Sequence, residues 1–376
     1  MAAVYIHIPF CKSKCGYCDF LSVSGDESLY EAYKNTLINE IKNCKELKEI
    51  QIETIFIGGG TPTVLPPVYL FEIMDAITFT SNNISKEVEI TVEANPGTLK
   101  YGTLFILKQA GVNRLSMGLQ ACQNNLLQKI GRTHNYEDFL KNYNDAVKMG
   151  FENINVDLMF SLPEQTVQNW TQTLNNISNL TPSHVSTYSL KVEEGTPFYQ
   201  MHKNGEIVID EDLDREMYYL AKEILQSNGY NHYEISNFSK RGFESKHNVM
   251  YWKRKDVLGF GLGAHSFFEG KRYHNTKNFD EYIESNGVRK SITENIIDIK
   301  KADSIEEYMF LGLRMLDGIS IEEFETLFSE NILDIYGDKL RKLGKEGLIK
   351  RNGDKILLTE RGIDVSNIVF TEFLFD

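Results

Sequence analysis

Cys11, Cys15 and Cys18 fall within eight residues, Cys11-Lys12-Ser13-Lys14-Cys15-Gly16-Tyr17-Cys18, just after a short apolar strand-like stretch, Val4-Tyr5-Ile6-His7-Ile8, and a turn at Pro9. Three thiolates in C-x3-C-x2-C spacing on one loop can each take one iron of a 4Fe–4S cube and leave the fourth iron without a protein ligand. An open iron is where a small molecule coordinates and receives an electron. Cluster potentials reach down to roughly −700 mV, low enough to break a sulfonium C–S bond. A structural zinc site is the plainer use, but it takes four ligands. His7 or a distant residue would have to complete it, and no second cysteine pair follows. Disulfides fit poorly, because five cysteines is an odd number and nothing indicates secretion.

Further residues of chemical use recur downstream. In Gly58-Gly59-Gly60-Thr61-Pro62 the missing side chains let backbone N–H and C=O groups approach a ligand, although a tight turn before a helix near Pro67 would use the same glycines. Glu93, in Thr91-Val92-Glu93-Ala94-Asn95-Pro96-Gly97, offers a carboxylate that can accept both hydroxyls of a ribose. Gln120 closes Leu115-Ser116-Met117-Gly118-Leu119-Gln120, and Arg132 in Gly131-Arg132-Thr133-His134 supplies a planar donor suited to a carboxylate. Asp157 sits in the otherwise apolar Asn155-Val156-Asp157-Leu158-Met159, so its burial demands a partner. Taken singly, each reads more readily as structural than as functional. Gly259-Phe260-Gly261-Leu262-Gly263-Ala264-His265-Ser266 reads as a close-packed crossing near a ligand cavity, with His265 a structural histidine, and Cys44 and Cys122 as packed thiols.

The elements that must hold these residues alternate. Strands are predicted at Val4–Ile8, Thr54–Ile57, Val88–Val92, Arg114–Met117, Asn153–Met159 and His184–Ser189. Leu29, Tyr33, Leu37 and Ile41 form one stripe of an amphipathic helix, and helices are predicted over 67–79, 99–110, 136–149 and 166–179. Repeated strand–helix units imply an α/β fold with a parallel sheet and helices outside it. Six units fall short of the eight of a closed barrel, so the expectation is a partial (β/α)6 TIM-like barrel over 1–240. Such sheets bind ligands beyond the carboxyl ends of their strands, and the cysteine loop, Gly58–Thr61, Glu93, Gln120 and Asp157 lie at or close to those ends. Residues 241–299 are expected to link this barrel to a small winged-helix-like α+β domain over 300–376. That domain is read from helices near 304–315, 320–328 and 332–344 and an Asn352-Gly353 hairpin.

Charge excludes one class of partner. A net −13 argues against broad nucleic-acid binding, which needs a basic surface. One basic segment stands apart: Lys240, Arg241, Lys246, Lys253, Arg254 and Lys255 against Glu244 and Asp256, suited to the carboxylates of a ligand or simply to solvent. Cys11 follows Met1 too soon for a signal peptide, and no apolar run approaches the ~20 residues that span a bilayer. The expected location is the cytoplasm.

From Tyr5 to Asp157, and across most of the chain beyond, the sequence resembles the coproporphyrinogen III dehydrogenase/HemW branch of the radical S-adenosylmethionine (SAM) superfamily. The resemblance implies that SAM binds the open iron through its amino and carboxylate groups, with contacts from Tyr5, Gly59, Gly60, Thr61, Glu93, Gln120, Arg132 and Asp157. It also offers two activities on one scaffold. Dehydrogenases of this branch oxidatively decarboxylate propionates of coproporphyrinogen III, whereas HemW-like proteins bind haem and hand it to respiratory haemoproteins. Three features favour the second. The dehydrogenases continue the motif to a fourth cysteine, where this chain has Phe20. They carry an extension before the cluster, for which Cys11 leaves no room. His247-Asn248-Val249-Met250-Tyr251-Trp252 matches H-N-x-x-Y-W, a HemW-type signature linked to haem binding. A neutral imidazole at His247 suits an axial ligand, Tyr251 and Trp252 offer aromatic surface to a porphyrin face, and Lys246, Lys253, Arg254 and Lys255 are expected to meet the haem propionates. A core histidine with Tyr251 and Trp252 as packing is the plainer alternative. The implied partners are haem, acceptor haemoproteins that include membrane-bound ones, and a second copy of the chain in a homodimer, with no nucleic acid.

Overall fold

The six expected strands form side by side in a computed structural model that describes residues 1–24 and 26–375; Gly25 and Asp376, within the first and last expected regions, lie outside the described residues. They are β1 (Ala2–Ile8), β2 (Ile52–Gly59), β3 (Ile84–Ala94), β4 (Arg114–Gln120), β5 (Asn153–Phe160) and β6 (His184–Ser189), paired in that order and all parallel. The connecting helices are α1 (Leu29–Asn43), α2 (Pro67–Thr80), α3 (Tyr101–Gln109), α4 (Tyr136–Lys148) and α5 (Val167–Leu180).

Local signals explain where the helices start. Asn135 and Asp138 form a reciprocal capping box on α4, and Thr166 with Asn169 does the same on α5. On the helix side of the sheet Ile55, Ile57, Val92, Leu115 and Val156 pack against Leu37, Ile73, Leu104, Phe139 and Leu174 in one apolar core. Because strand side chains alternate, the other face carries the intervening residues, and that face is unusually polar.

The sheet continues beyond the expected six strands. After β7 (Asn231–Glu234), β8 (Asn237–Ser239), α6 (Glu211–Ser227) and the short α7 (Lys246–Trp252), the chain returns as β9 (Asp256–Phe260), which pairs parallel to the far side of β1. Strands β10 (His265–Phe268), β11 (Lys271–Asn275) and β12 (Thr293–Asp298) follow antiparallel. The full order is β12-β11-β10-β9-β1-β2-β3-β4-β5-β6-β8-β7. Residues 256–298, read from sequence as part of a link, thus extend the same sheet. The Gly259–Ser266 crossing is as tight as expected: a Cβ on Gly259 would lie 2.3 Å from the His265 carbonyl oxygen.

Helices α8 (Lys301–Gly312), α9 (Ile321–Phe328) and α10 (Ile332–Lys345) enclose a second core around Met309, Phe324, Tyr336 and Phe373. A three-stranded antiparallel sheet of β13 (Ile319–Ser320), β14 (Ile349–Asn352) and β15 (Lys355–Leu358) completes this part, with the Asn352-Gly353 turn where expected. It is tied to the barrel by ion pairs. Glu307 of α8 receives Arg254 at 2.8 Å and Arg272 at 2.9 Å, and the Arg314 guanidinium lies 4.4 Å from the centre of the Trp252 ring.

Candidate functional site

The cysteine loop leaves the carboxyl end of β1 and is fastened to neighbouring strand ends at several points. Gly60 N–H donates to the Ile8 carbonyl at 2.8 Å and Thr61 N–H to that of Phe10 at 2.7 Å. A Cβ on Gly60 would stand 2.6 Å from the Phe10 carbonyl oxygen, so only glycine permits this approach. Thr61 Oγ1 lies 3.7 Å from Cys11 Sγ and accepts from Asn95 Nδ2 at 2.7 Å. Asn95 Oδ1 accepts from Arg132, whose other terminal nitrogen reaches Cys15 Sγ at 3.7 Å. The result is a closed circuit, Cys11–Thr61–Asn95–Arg132–Cys15, linking the loop to the ends of β2 and β3 and to the segment after β4.

All three cysteines are half-buried, whereas Cys44 and Cys122 are buried. Burial raises the thiol pKa of Cys11 and Cys18, so metal coordination, which favours the thiolate, would drive their ionisation. Among the described residues no three His, Cys, Asp or Glu side chains are grouped to hold a single metal ion. A cubane takes each thiolate on a different iron and does not need that convergence. Phe20, where a fourth cysteine would stand, is 62% exposed.

Beneath this rim the inward face of the strands forms a polar column. Gly59 ends β2 at φ +108°, where a Cβ would collide with the His7 ring at 2.4 Å; its N–H donates to Glu93 Oε2 at 3.0 Å. Burial, followed by the nearby Asp157, pushes the Glu93 carboxyl up to about 8, against the Gly59 N–H. Asp157 finds the partners its burial requires: Asn155 Nδ2 at 2.8 Å and Ser116 Oγ at 3.0 Å. Its pKa is nonetheless raised, by burial. Tyr5 OH lies 2.9 Å from His7 Nδ1, with its ring stacked on Phe56. Gln120 takes φ +74° at a register shift that ends β4, a strained geometry of the kind that re-aims a side chain. The structure thus brings the predicted SAM contacts together above and within one column.

The HNxxYW segment forms α7. Ser245 caps it, and the Glu89 carboxylate accepts from the Lys246 and His247 amides at 3.3 and 3.2 Å. His247 is 1% exposed and lies between Phe56, stacked at 4.9 Å, and the edge of Tyr251 at 5.1 Å. Nδ1 is 2.9 Å from Thr54 Oγ1, and Nε2 has no partner. Burial, then Arg114, lowers its pKa to about 3, so the ring stays neutral. Asn248 and Trp252 are half-buried and Tyr251 is 38% exposed. The expected propionate-binding run needs correction. Arg254 is committed to Glu307 and Ser304, and Lys246 Nζ donates to the Glu87 carbonyl. Only Lys253 and Lys255 of that set stand on the surface without such a bond. The reason is the turn of α7, which aims one face into the sheet and joins its end to α8.

Thr54, Glu89, Asn95 and Arg114 went unnoticed in the sequence. The signal was period two: Glu89-x-Thr91-x-Glu93, Arg114-x-Ser116-x-Gly118 and Asn155-x-Asp157 set polar residues on one face of successive strands.

The fold and rim define a protein of the radical SAM type. The model of the Radical SAM superfamily matches residues 5–177 and that of the HemN C-terminal domain residues 299–365. The solved coproporphyrinogen III oxidase (HemN) from Escherichia coli, described as a radical SAM enzyme, superposes with a TM-score of 0.87 at 21% identity, covering 99% of this chain and 89% of that one; this is a likeness of fold. Among curated relatives, proteins named Heme chaperone HemW from Lactococcus lactis and Bacillus subtilis are each 38% identical over 100% of this chain and 97% and 99% of theirs. A mitochondrial radical S-adenosyl methionine domain-containing protein 1 of Bos taurus is 31% identical over 97% of this chain and 84% of its own. The chain belongs to the HemW family of the radical SAM superfamily.

Proposed function

We propose that this protein is a haem chaperone: it binds haem and passes it to acceptor haemoproteins, on a scaffold that also holds a 4Fe–4S cluster and SAM. The observation carrying this reading is the full-length 38% identity to two proteins named Heme chaperone HemW. Phe20 in place of a fourth cysteine accords with it.

Cys11, Cys15 and Cys18 would ligate three irons. When bound, a cluster of this kind supplies a low-potential electron to a coordinated sulfonium compound. The surrounding residues divide the work of holding SAM. The Gly59–Thr61 backbone would meet its amino group, Arg132 and Gln120 would orient its polar groups, and Glu93 would accept from the ribose hydroxyls. Tyr5 and Asp157 would close the column around it. In the chaperone reading this site supports or regulates haem transfer without chemistry on a tetrapyrrole. His247 is the candidate axial ligand, with Asn248, Tyr251 and Trp252 around it. The acceptors we propose are respiratory haemoproteins, reached from the cytoplasm. No described helix is long and apolar enough to cross a membrane, so we take contact with a membrane-bound acceptor to be peripheral.

The test is an anaerobic haem titration of cluster-reconstituted protein, followed by visible absorbance, with His247→Ala alongside. Saturable binding that weakens in the variant supports the chaperone. Absence of specific binding, together with protoporphyrinogen IX formed from coproporphyrinogen III, SAM and reductant, would move the assignment to the dehydrogenase.

A further inference from the structure

The circuit around the cysteine loop has a direction, and Asn95 sets it. A guanidinium only donates, so the atom of Asn95 that meets Arg132 is the amide oxygen. The amide nitrogen therefore faces the other way and donates to Thr61 Oγ1 at 2.7 Å. That bond occupies a lone pair of the threonine hydroxyl and leaves its hydrogen for another acceptor. Cys11 Sγ stands within reach of it, 3.7 Å from Oγ1. On the far side Arg132 divides its donors. One terminal nitrogen binds Asn95 Oδ1 and the Gly118 carbonyl, and the other reaches Cys15 Sγ at 3.7 Å. One amide thus stands behind a donor to each of two thiols.

Packing holds this arrangement in place. Thr61 is 2% exposed, and its backbone is fixed by the bond from its N–H to the Phe10 carbonyl. Gly118 leaves the space that the pair needs: a Cβ there would lie 2.9 Å from an Arg132 terminal nitrogen and 3.1 Å from Asn95 Oδ1. Gly16 N–H donates to the Ile130 carbonyl at 3.2 Å, which ties the stretch between Cys15 and Cys18 to the segment carrying Arg132. Every member of the circuit belongs to this chain, so the circuit stands before any SAM arrives.

Reduction adds negative charge to a cluster and its ligating sulfurs, and a hydrogen bond to such a sulfur stabilises the more negative state. These bonds are among the settings of a cluster's potential. Outer partners of metal ligands commonly act in this way. We propose that Asn95 is a positioning residue for the cluster potential: it turns the Thr61 hydroxyl onto Cys11 Sγ and holds Arg132 on Cys15 Sγ, and the two bonds raise the potential. The inference rests on the cluster half of the proposed function and is independent of haem.

Wild type, Asn95→Ala, Thr61→Val, Thr61→Ser and the double variant Asn95→Ala/Thr61→Val are reconstituted anaerobically and poised against redox mediators without SAM. The reduced cluster is counted by electron paramagnetic resonance. Asn95→Ala releases both donors and is expected to lower the midpoint, changing the reduced-to-oxidised ratio at a fixed potential about tenfold, or ~59 mV for one electron. Thr61→Val removes only the bond to Cys11 and should fall part of the way, while Thr61→Ser should match wild type. Because Asn95 acts through Thr61, the double variant should sit no lower than Asn95→Ala alone. A merely structural role would reduce the amount of cluster loaded, read by visible absorbance, and leave the midpoint of what forms unchanged. Asn95→Ala at the wild-type midpoint, or a double variant whose shift is the sum of the two, overturns the role of Asn95. Should Asn95→Ala take up no cluster, Thr61→Val decides: a lowered midpoint that serine restores supports the proposal, and a wild-type midpoint contradicts it. A wild type that forms no 4Fe–4S signal overturns the cluster reading itself, whatever the protein does with haem.

Discussion

Replacing Glu93 by glutamine should make the protein less sensitive to alkaline pH while weakening its hold on SAM. In the folded chain the Glu93 carboxyl stays protonated up to about 8, because burial and the neighbouring Asp157 oppose its charge; its ordinary value is 4.5. The unfolded chain releases this proton first, so stability is fullest below about 4.5 and is lost as pH rises towards 8. For an enclosed carboxyl the loss is about 1.4 kcal/mol per pH step between those values. Glu93 retains some exposure to the column, and screening by water there should bring the loss at pH 8 down to about 1–2 kcal/mol. Glutamine removes the charge, keeps an acceptor for the Gly59 N–H, which lies 3.0 Å from Glu93 Oε2, and relieves Asp157. It also puts an NH2 group where a carboxyl oxygen stood, leaving one acceptor for two ribose hydroxyls, which should cost SAM binding about 10-fold or more. Anaerobic urea unfolding at pH 6, 7 and 8 reads the first effect, and equilibrium dialysis of SAM against cluster-loaded protein reads the second. An unchanged pH slope, or a variant less stable than wild type at pH 8, would refute the reasoning.

Cys11→Ala, Cys15→Ala and Cys18→Ala should each abolish the visible absorbance of a reconstituted cluster, whereas Cys44→Ala and Cys122→Ala should retain it. Gly59→Ala forces a non-glycine residue to φ +108° with its Cβ 2.4 Å from the His7 ring. We expect about 2–4 kcal/mol of destabilisation by urea unfolding and loss of SAM affinity in dialysis. Glu307→Ala leaves Arg254, whose side chain is 13% exposed, without its carboxylate. About 3 kcal/mol of stability should be lost, with earlier proteolysis between the barrel and α8.

The strands were legible because each carries apolar residues towards the helices, and the helices because caps and stripes mark them. β9 was not, because its apolar run Val257-Leu258-Gly259-Phe260 is short and broken by a glycine. Only the structure shows why that side chain is missing: the His265 carbonyl lies where a Gly259 Cβ would be. The cysteine loop stood out from its spacing alone. The circuit that anchors it was not, since Asn95 earns its place by lying between Thr61 and Arg132, which no local pattern encodes. Arg254 was misjudged for the same reason: Glu307, its partner, is 53 residues away, and a charged run looks equally ready for solvent or ligand.

The central claim is haem delivery, and transfer tests it most directly. Cluster-reconstituted protein is loaded with haem anaerobically, mixed with an apo-haemoprotein of the respiratory kind, and the spectrum of the acceptor is followed. The account predicts that haem leaves the donor and the acceptor gains its native spectrum, with His247→Ala delivering far less. Retention of haem by the donor with every such acceptor, or delivery no faster than from free haem, would contradict it.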